Sequence, residues 1–117
     1  MIKGIGIDII ELERIKKSME NDRFINRILT DKEKKNYANL QHDTRKVEFV
    51  AGRFAAKEAF SKAMGTGIGS LSFQDITILN DEHGAPFIEA NITEDMNIFV
   101  SITHSREYAV AQVILEI

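Results

Sequence analysis

The chain is 117 residues long, 44% apolar and 28% charged, with a formal net charge of −3, one proline and no cysteine or tryptophan. That length supports one hydrophobic core, so a single domain spanning residues 1–117 is expected. Without cysteine there is no disulfide framework, thiolate metal site or cysteine nucleophile, and no apolar run is long enough to span a bilayer, so a soluble, cytoplasmic protein without a membrane partner is expected.

In chain order, residues 1–10 alternate as a strand does, with Ile5, Ile7 and Ile9 on one face and Gly4, Gly6 and Asp8 on the other. Residues 11–19 read as a short helix carrying Ile15 and Met19 on one side. Asn21 or Asp22 caps a second short helix through residue 29, and Thr30 with Glu33 forms a capping-box pattern opening a third, to about residue 40. The strongest helical pattern covers residues 44–64, where Val47, Val50, Ala51, Phe54 and Ala55 recur at three- and four-residue spacing before Gly65 stops it. A glycine-rich loop follows over residues 65–69. Residues 72–79 read as a strand, 81–86 as a turn and 87–90 as a further extended piece. Residues 98–103 and 108–117 are two β-rich runs joined as a hairpin by residues 104–107.

A strand, a block of helices and then strands predict an α+β fold, a mainly antiparallel sheet packed with one long and several short helices. The last strand is apolar on both faces. Such a strand is covered on both sides, either inside its own chain or by another subunit.

Charge is unevenly distributed. Residues 1–13 carry a net −2, residues 14–62 a net +6, and residues 63–117 a net −7. A basic half on an acidic chain suits a local anionic partner, and the acidic remainder argues against nucleic acid. Arg14, Lys16, Lys17, Arg23 and Arg27 are interleaved with Ile15, Met19, Phe24, Ile25 and Ile28, a basic and apolar face fitted to a small acidic protein or to packing on the core.

Two carboxylates stand out. Glu58 continues the helical stripe of Val47, Ala51 and Phe54, where it is either paired with Lys62 one turn on or held by a cation. Asp8 shares its strand face with two glycines that leave room for close approach by another segment or a ligand. With no histidine or cysteine between them, such a pair suits a hard cation, and Mg²⁺ above all, which completes its shell with water and phosphate oxygens. Lys57 and Lys62, close to the glycines that follow, are candidates to neutralise phosphates. The glycine pattern follows a helix rather than opening one, so it is not a P-loop. His42 and His83 fall in loops. His104, between Thr103 and Ser105 at the hairpin mouth, is suited to an anion or nucleotide, or to satisfying a turn.

The segments GIGIDIIELERI, FVAGRFAAKEAFSKAMGTGIG and VSITHSREYAVAQVIL together resemble the holo-[acyl-carrier-protein] synthases, the small single-domain 4′-phosphopantetheinyl transferases. The resemblance implies the fold of those transferases and a role in fatty acid biosynthesis. The implied reaction moves the 4′-phosphopantetheine arm of coenzyme A to a serine of apo acyl carrier protein and releases adenosine 3′,5′-bisphosphate. It also implies that Asp8 and Glu58 ligate Mg²⁺ beside the coenzyme A pyrophosphate, with Lys62 near the same phosphates. Arg53 and His104 would contact the nucleotide, and Gly65 would allow close backbone approach. Glu58, directly or through a metal-bound water, is the candidate to take the serine proton, the alternative being a base supplied by the carrier protein. The carrier protein would dock on Arg14, Arg23, Phe24 and Arg27, and the enzyme would be a homotrimer with active sites between neighbouring chains. Phe54 stands where the double-length relatives place tryptophan, as suits the short bacterial type.

Overall fold

The computed structural model describes residues 1–68, 71–92 and 95–117. The alternating N-terminal segment forms β1 (Ile2–Glu11), with Gly6 and Ile10 buried and Ile5, Ile7 and Ile9 turned outward at 56, 57 and 61% exposure. Three short helices follow: α1 (Leu12–Ser18), α2 (Asp22–Ile28) and α3 (Asp31–Ala38). Local chemistry starts two of them as expected. The Asn21 side chain accepts from the Arg23 amide, and Thr30 and Glu33 form the reciprocal capping box. The long helix α4 (Asp43–Met64) ends at Gly65, whose φ of 76° is the left-handed conformation that favours glycine.

Beyond α4 lie β2 (Ile76–Asn80), β3 (Pro86–Ala90), β4 (Asn97–His104) and β5 (Tyr108–Glu116). The strand expected over residues 72–79 begins four residues late. Ser72 Oγ accepts from Gln74 N, and Asp75 Oδ2 accepts from Ser72 N, and this reciprocal cap winds Phe73–Asp75 into one 3-10 turn before β2. Hydroxyl and carboxylate capping here outweighs the extended pattern. Gly69, at the end of the expected glycine loop, lies outside the described residues.

The strands form two antiparallel sheets, one in the order β1-β5-β4 and one of β2 with β3. Helix α4 crosses the inner face of the larger sheet, and the core is built where they meet. Ala109, Ala111, Val113 and Leu115 of β5 are at most 1% exposed, against Ala51, Ala55, Ala59 and Phe60 of α4 at 0%. Two glycines set this distance. A Cβ on Gly4 would strike the carbonyl of Ala63, and one on Gly6 the carbonyl of Ala59, so only glycine lets the helix backbone lie so close to β1. Helix α4 is buried on nearly all sides because α1, α2 and β2 cover the flanks that the sheet leaves open.

Strand β5 is central, but its second face is not covered within the chain. Gln112 is exposed, Val110 and Ile114 are half-buried, and Ile114 sits in register between Ile5 and Phe99, both more than half exposed. Enclosure on both sides by the chain itself is therefore not what the apolar last strand reflects.

Candidate functional site

The glycine contacts that seat α4 on β1 also decide which side chains meet. Strand and helix run past each other in opposite directions, Gly4 beside Ala63 and Gly6 beside Ala59. The next inward position on the strand is Asp8, which faces the Glu58 turn of α4. Lys62 closes the group: its Nζ donates to Asp8 Oδ1 at 3.1 Å and to the carbonyl of Ile7 at 2.9 Å. Lysine 62 thus pairs with the strand carboxylate rather than with Glu58 along its own helix.

Burial, and then the negative charge of Asp8, push the Glu58 carboxyl above the usual range, while Lys62 and Arg27 pull it down. The two carboxylates are near enough to repel, and Lys62 and Arg27 only partly offset this, so the pair could accept a cation. Among the described residues no cluster of three or more His, Cys, Asp or Glu exists. Asp8 and Glu58 are the two residues that could hold Mg²⁺, an ion that takes one or two carboxylates and its remaining oxygens from water and phosphate.

Glu58 also lines a cleft of about 330 Å³. Its floor is aromatic: Phe54 stacks between Phe24, at 6.3 Å between centroids, and Phe73, at 5.5 Å. Arg14 and Arg27 line its basic side, the Arg27 guanidinium lying 5.6 Å from the Phe73 ring centre. The exposed Arg23 of α2 does not line this cleft. A larger opening of about 610 Å³ lies elsewhere, among Glu11, Lys16, Asp43, Glu48, Arg106 and Tyr108; of the expected residues only Lys16 of the basic face lines it.

The remaining sequence candidates are not at the carboxylate pair of the same chain. His104 pairs with Ala109 and Asp8 with Ala111, on opposite edges of β5, so their backbones stand roughly 10 Å apart across the sheet. His104 Nδ1 lies 3.4 Å from Glu48 Oε2, ten residues before Glu58 and so roughly 15 Å away along α4. Arg53 is five residues from Glu58, roughly 140° around the helix. It is 7% exposed, its guanidinium lies 3.9 Å over the Phe49 ring, and its Nε and Nη2 are buried without hydrogen-bond partners among the described residues. Burial lowers its pKa to about 10 against the raising effect of Glu33. Around Gly65 the space a Cβ would occupy is empty for 4 Å, so its positive φ rather than crowding requires glycine. Ser105 serves the hairpin turn, its hydroxyl accepting from the amides of Glu107 and Tyr108.

Two features escaped the sequence. Lys57, expected near phosphates, is fully buried: its Nζ donates to Glu33 Oε1 and the Ile28 carbonyl at 2.6 Å each and to the Phe73 carbonyl at 3.1 Å. Burial pushes its ammonium pKa down, and Glu33 pulls it back up. Glu33 also accepts from the amides of Thr30 and Ile78, both at 2.8 Å. Its place in the capping box was the visible signal, and its long-range partners were invisible. Glu48, the other missed residue, was marked only by Arg45 three positions earlier, to which it pairs at 3.5 Å.

A carboxylate pair with a lysine, at the edge of a basic and aromatic cleft, has the charges that could handle a phosphate ester. The chain belongs to the 4′-phosphopantetheinyl transferase superfamily, whose family model matches residues 4–113. It is an enzyme of the holo-[acyl-carrier-protein] synthase family. A holo-[acyl-carrier-protein] synthase of Geobacillus sp. (strain WCH70) is 59% identical over 99% of this chain and 98% of its own. The crystal structure of the Bacillus anthracis holo-(acyl-carrier-protein) synthase in complex with CoA (3′,5′-ADP) matches with a TM-score of 0.91 and 54% identity, over 99% of this chain and 97% of that one. The Helicobacter pylori enzyme in complex with coenzyme A matches at 0.83 and 34%, over 96% and 99%.

Proposed function

We propose that this chain transfers the 4′-phosphopantetheine group from coenzyme A to a serine of apo acyl carrier protein, releasing adenosine 3′,5′-bisphosphate. The reaction is Mg²⁺-dependent, takes place in the cytoplasm and supports fatty acid biosynthesis. The observation that carries this reading is the Asp8–Glu58 pair with Lys62 beside it, at the edge of the Phe24–Phe54–Phe73 cleft.

Asp8 and Glu58 would hold the magnesium ion, which when bound supplies charge neutralisation to the pyrophosphate being cleaved. Lys62 holds Asp8 by its ammonium and has the reach, at 53% side-chain exposure, to bind a phosphate oxygen instead. The serine oxygen forms its bond to the phosphorus bearing the pantetheine arm as the bond to the adenosine-side phosphate oxygen breaks. Glu58, directly or through a metal-bound water, is the group placed to accept the serine proton. Arg14, Arg23, Phe24 and Arg27 receive the acidic carrier protein, Arg14 and Arg27 directing it toward the cleft. Arg53 and His104 bind the nucleotide, and the open space around Gly65 allows its close approach to the backbone.

Within one chain Arg53 and His104 stand away from the carboxylate pair. That separation, with the bare apolar face of the larger sheet, supports a homotrimer in which one subunit's Asp8, Glu58 and Lys62 act beside a neighbour's nucleotide contacts. The test is mass spectrometry of apo carrier protein incubated with the enzyme, coenzyme A and Mg²⁺. Gain of one phosphopantetheine, lost with chelator and restored by Mg²⁺, is expected. Cleavage of coenzyme A with no mass gain on the carrier would replace transfer by hydrolysis, and indifference to chelator would remove the metal.

A further inference from the structure

The C-terminal end of α2 presents its carbonyl oxygens to the rest of the chain, and two side chains from outside the helix take them up. The Leu29 amide donates to the Ile25 carbonyl at 2.9 Å, which is the helix's own ladder. Gln74 Nε2 donates to the carbonyls of Asn26, Arg27 and Leu29 at 2.9, 3.1 and 2.9 Å. Lys57 Nζ donates to that of Ile28. Every carbonyl from Ile25 to Leu29 is thereby satisfied. A helix of seven residues cannot hold its own last carbonyls and is marginal in isolation, so donors from elsewhere set its position.

We infer that Gln74 is a positioning residue for the carrier-protein face: its side-chain amide clamps the end of α2 and so fixes Phe24 and Arg27 over the cleft beside Glu58. This rests on the reading above that the face receives the carrier protein.

Gln74 sits in the 3-10 turn immediately after Phe73, and Phe73 lies under Arg27 and against Phe54. One turn therefore supplies both the clamp on α2 and an aromatic wall of the cleft. Gln74 is itself exposed, so it is not there to fill the core. Lys57 has a similar grip but is fully buried, and removing it damages the fold along with the site. Gln74 is the separable half of the device.

What the position requires is a donor. Two amide hydrogens are shared among three carbonyls, in the bifurcated manner frequent at helix ends. The C-terminus of a helix is also its negative pole. A lysine ammonium satisfies both conditions, and a carboxylate offends both.

The experiment compares Gln74→Glu, Gln74→Ala and Gln74→Lys with the wild type. It reads the KM for apo acyl carrier protein, the KM for coenzyme A, and hydrogen exchange at the amides of residues 24–29. For Gln74→Glu the carrier KM is expected to rise about tenfold, with the coenzyme A KM within about twofold of wild type, as displacement of a positioned surface implies. Gln74→Ala moves the same way by less. Exchange over residues 24–29 accelerates in both, and Gln74→Lys restores exchange and carrier KM together. An unchanged carrier KM in Gln74→Glu, a parallel rise in both KM values, unchanged exchange, or a lysine variant as impaired as the glutamate would each overturn the inference. If the wild type itself leaves the carrier protein unmodified, the proposed activity falls, and the exchange measurements still decide whether Gln74 holds α2.

Discussion

Each residue of the carboxylate group has a neighbour that defines its task. Asp8 is held by Lys62, and Glu58 is lifted in pKa by burial and by Asp8. Changing either carboxylate to its amide keeps the shape and removes the charge. Asp8→Asn and Glu58→Gln are expected to lower the transfer rate about a hundredfold or more, the contribution typical of a positioned acid or base, while circular dichroism stays unchanged. Steady-state assays at saturating Mg²⁺ decide this, and near-normal turnover in either variant would remove that residue from the site. Arg14 is exposed at the cleft, on the face proposed to receive the carrier protein. Arg14→Glu should raise the KM for carrier protein about tenfold and leave that for coenzyme A nearly unchanged. An equal rise in both would place Arg14 elsewhere.

At the scale of elements, two contacts govern how the site is assembled. The Gly4–Ala63 and Gly6–Ala59 approach of β1 to α4 brings Asp8 to the Glu58 turn. In Gly6→Ala the new methyl falls on a backbone carbonyl that has no side-chain freedom to yield. A loss of about 3 kcal/mol in urea unfolding is expected, at the upper end for overpacking, together with a drop in activity from the displaced strand. The second contact is the Lys57–Glu33 pair, with both side chains at 0% exposure. It ties α4 to the end of α2, to α3 and to the Phe73 turn at one point. Lys57→Met strands the buried Glu33 charge and should cost about 3–5 kcal/mol, read as a lower denaturation midpoint. A cost under about 1 kcal/mol would mean that the amides of Thr30 and Ile78 suffice for Glu33.

For the whole molecule the telling surface is the outer face of the β1-β5-β4 sheet. Ile5, Ile7, Ile9 and Phe99 are all more than half exposed there, a contiguous apolar face of the kind that marks an interface. Ile7→Lys puts a charge at its centre. The variant is expected to run as a monomer by light scattering, with transfer activity falling with the assembly if, as proposed, Arg53 and His104 complete a neighbour's site. A wild type that is already monomeric and fully active would overturn both the trimer and the shared site.

Much of this protein is written locally. The alternation of β1, the Thr30–Glu33 capping box, the length of α4 and its stop at Gly65 all follow from side-chain pattern and capping chemistry within a few residues. The motifs around Asp8, Glu58, Lys62 and His104 carried the family resemblance, and the family match spans residues 4–113. What the sequence did not determine is which residues meet across long separations. It put Lys57 among the phosphate-facing groups, although Lys57 is buried against Glu33, and it read residues 72–75 as strand. It gave Gln74 no role, although its amide reaches back to α2. Those outcomes depend on how closely α4 approaches β1 and where the helix ends finish. Pairing energies between distant charges and carbonyls are set only once the backbone has brought them within hydrogen-bonding distance, and that distance is a property of the packed fold.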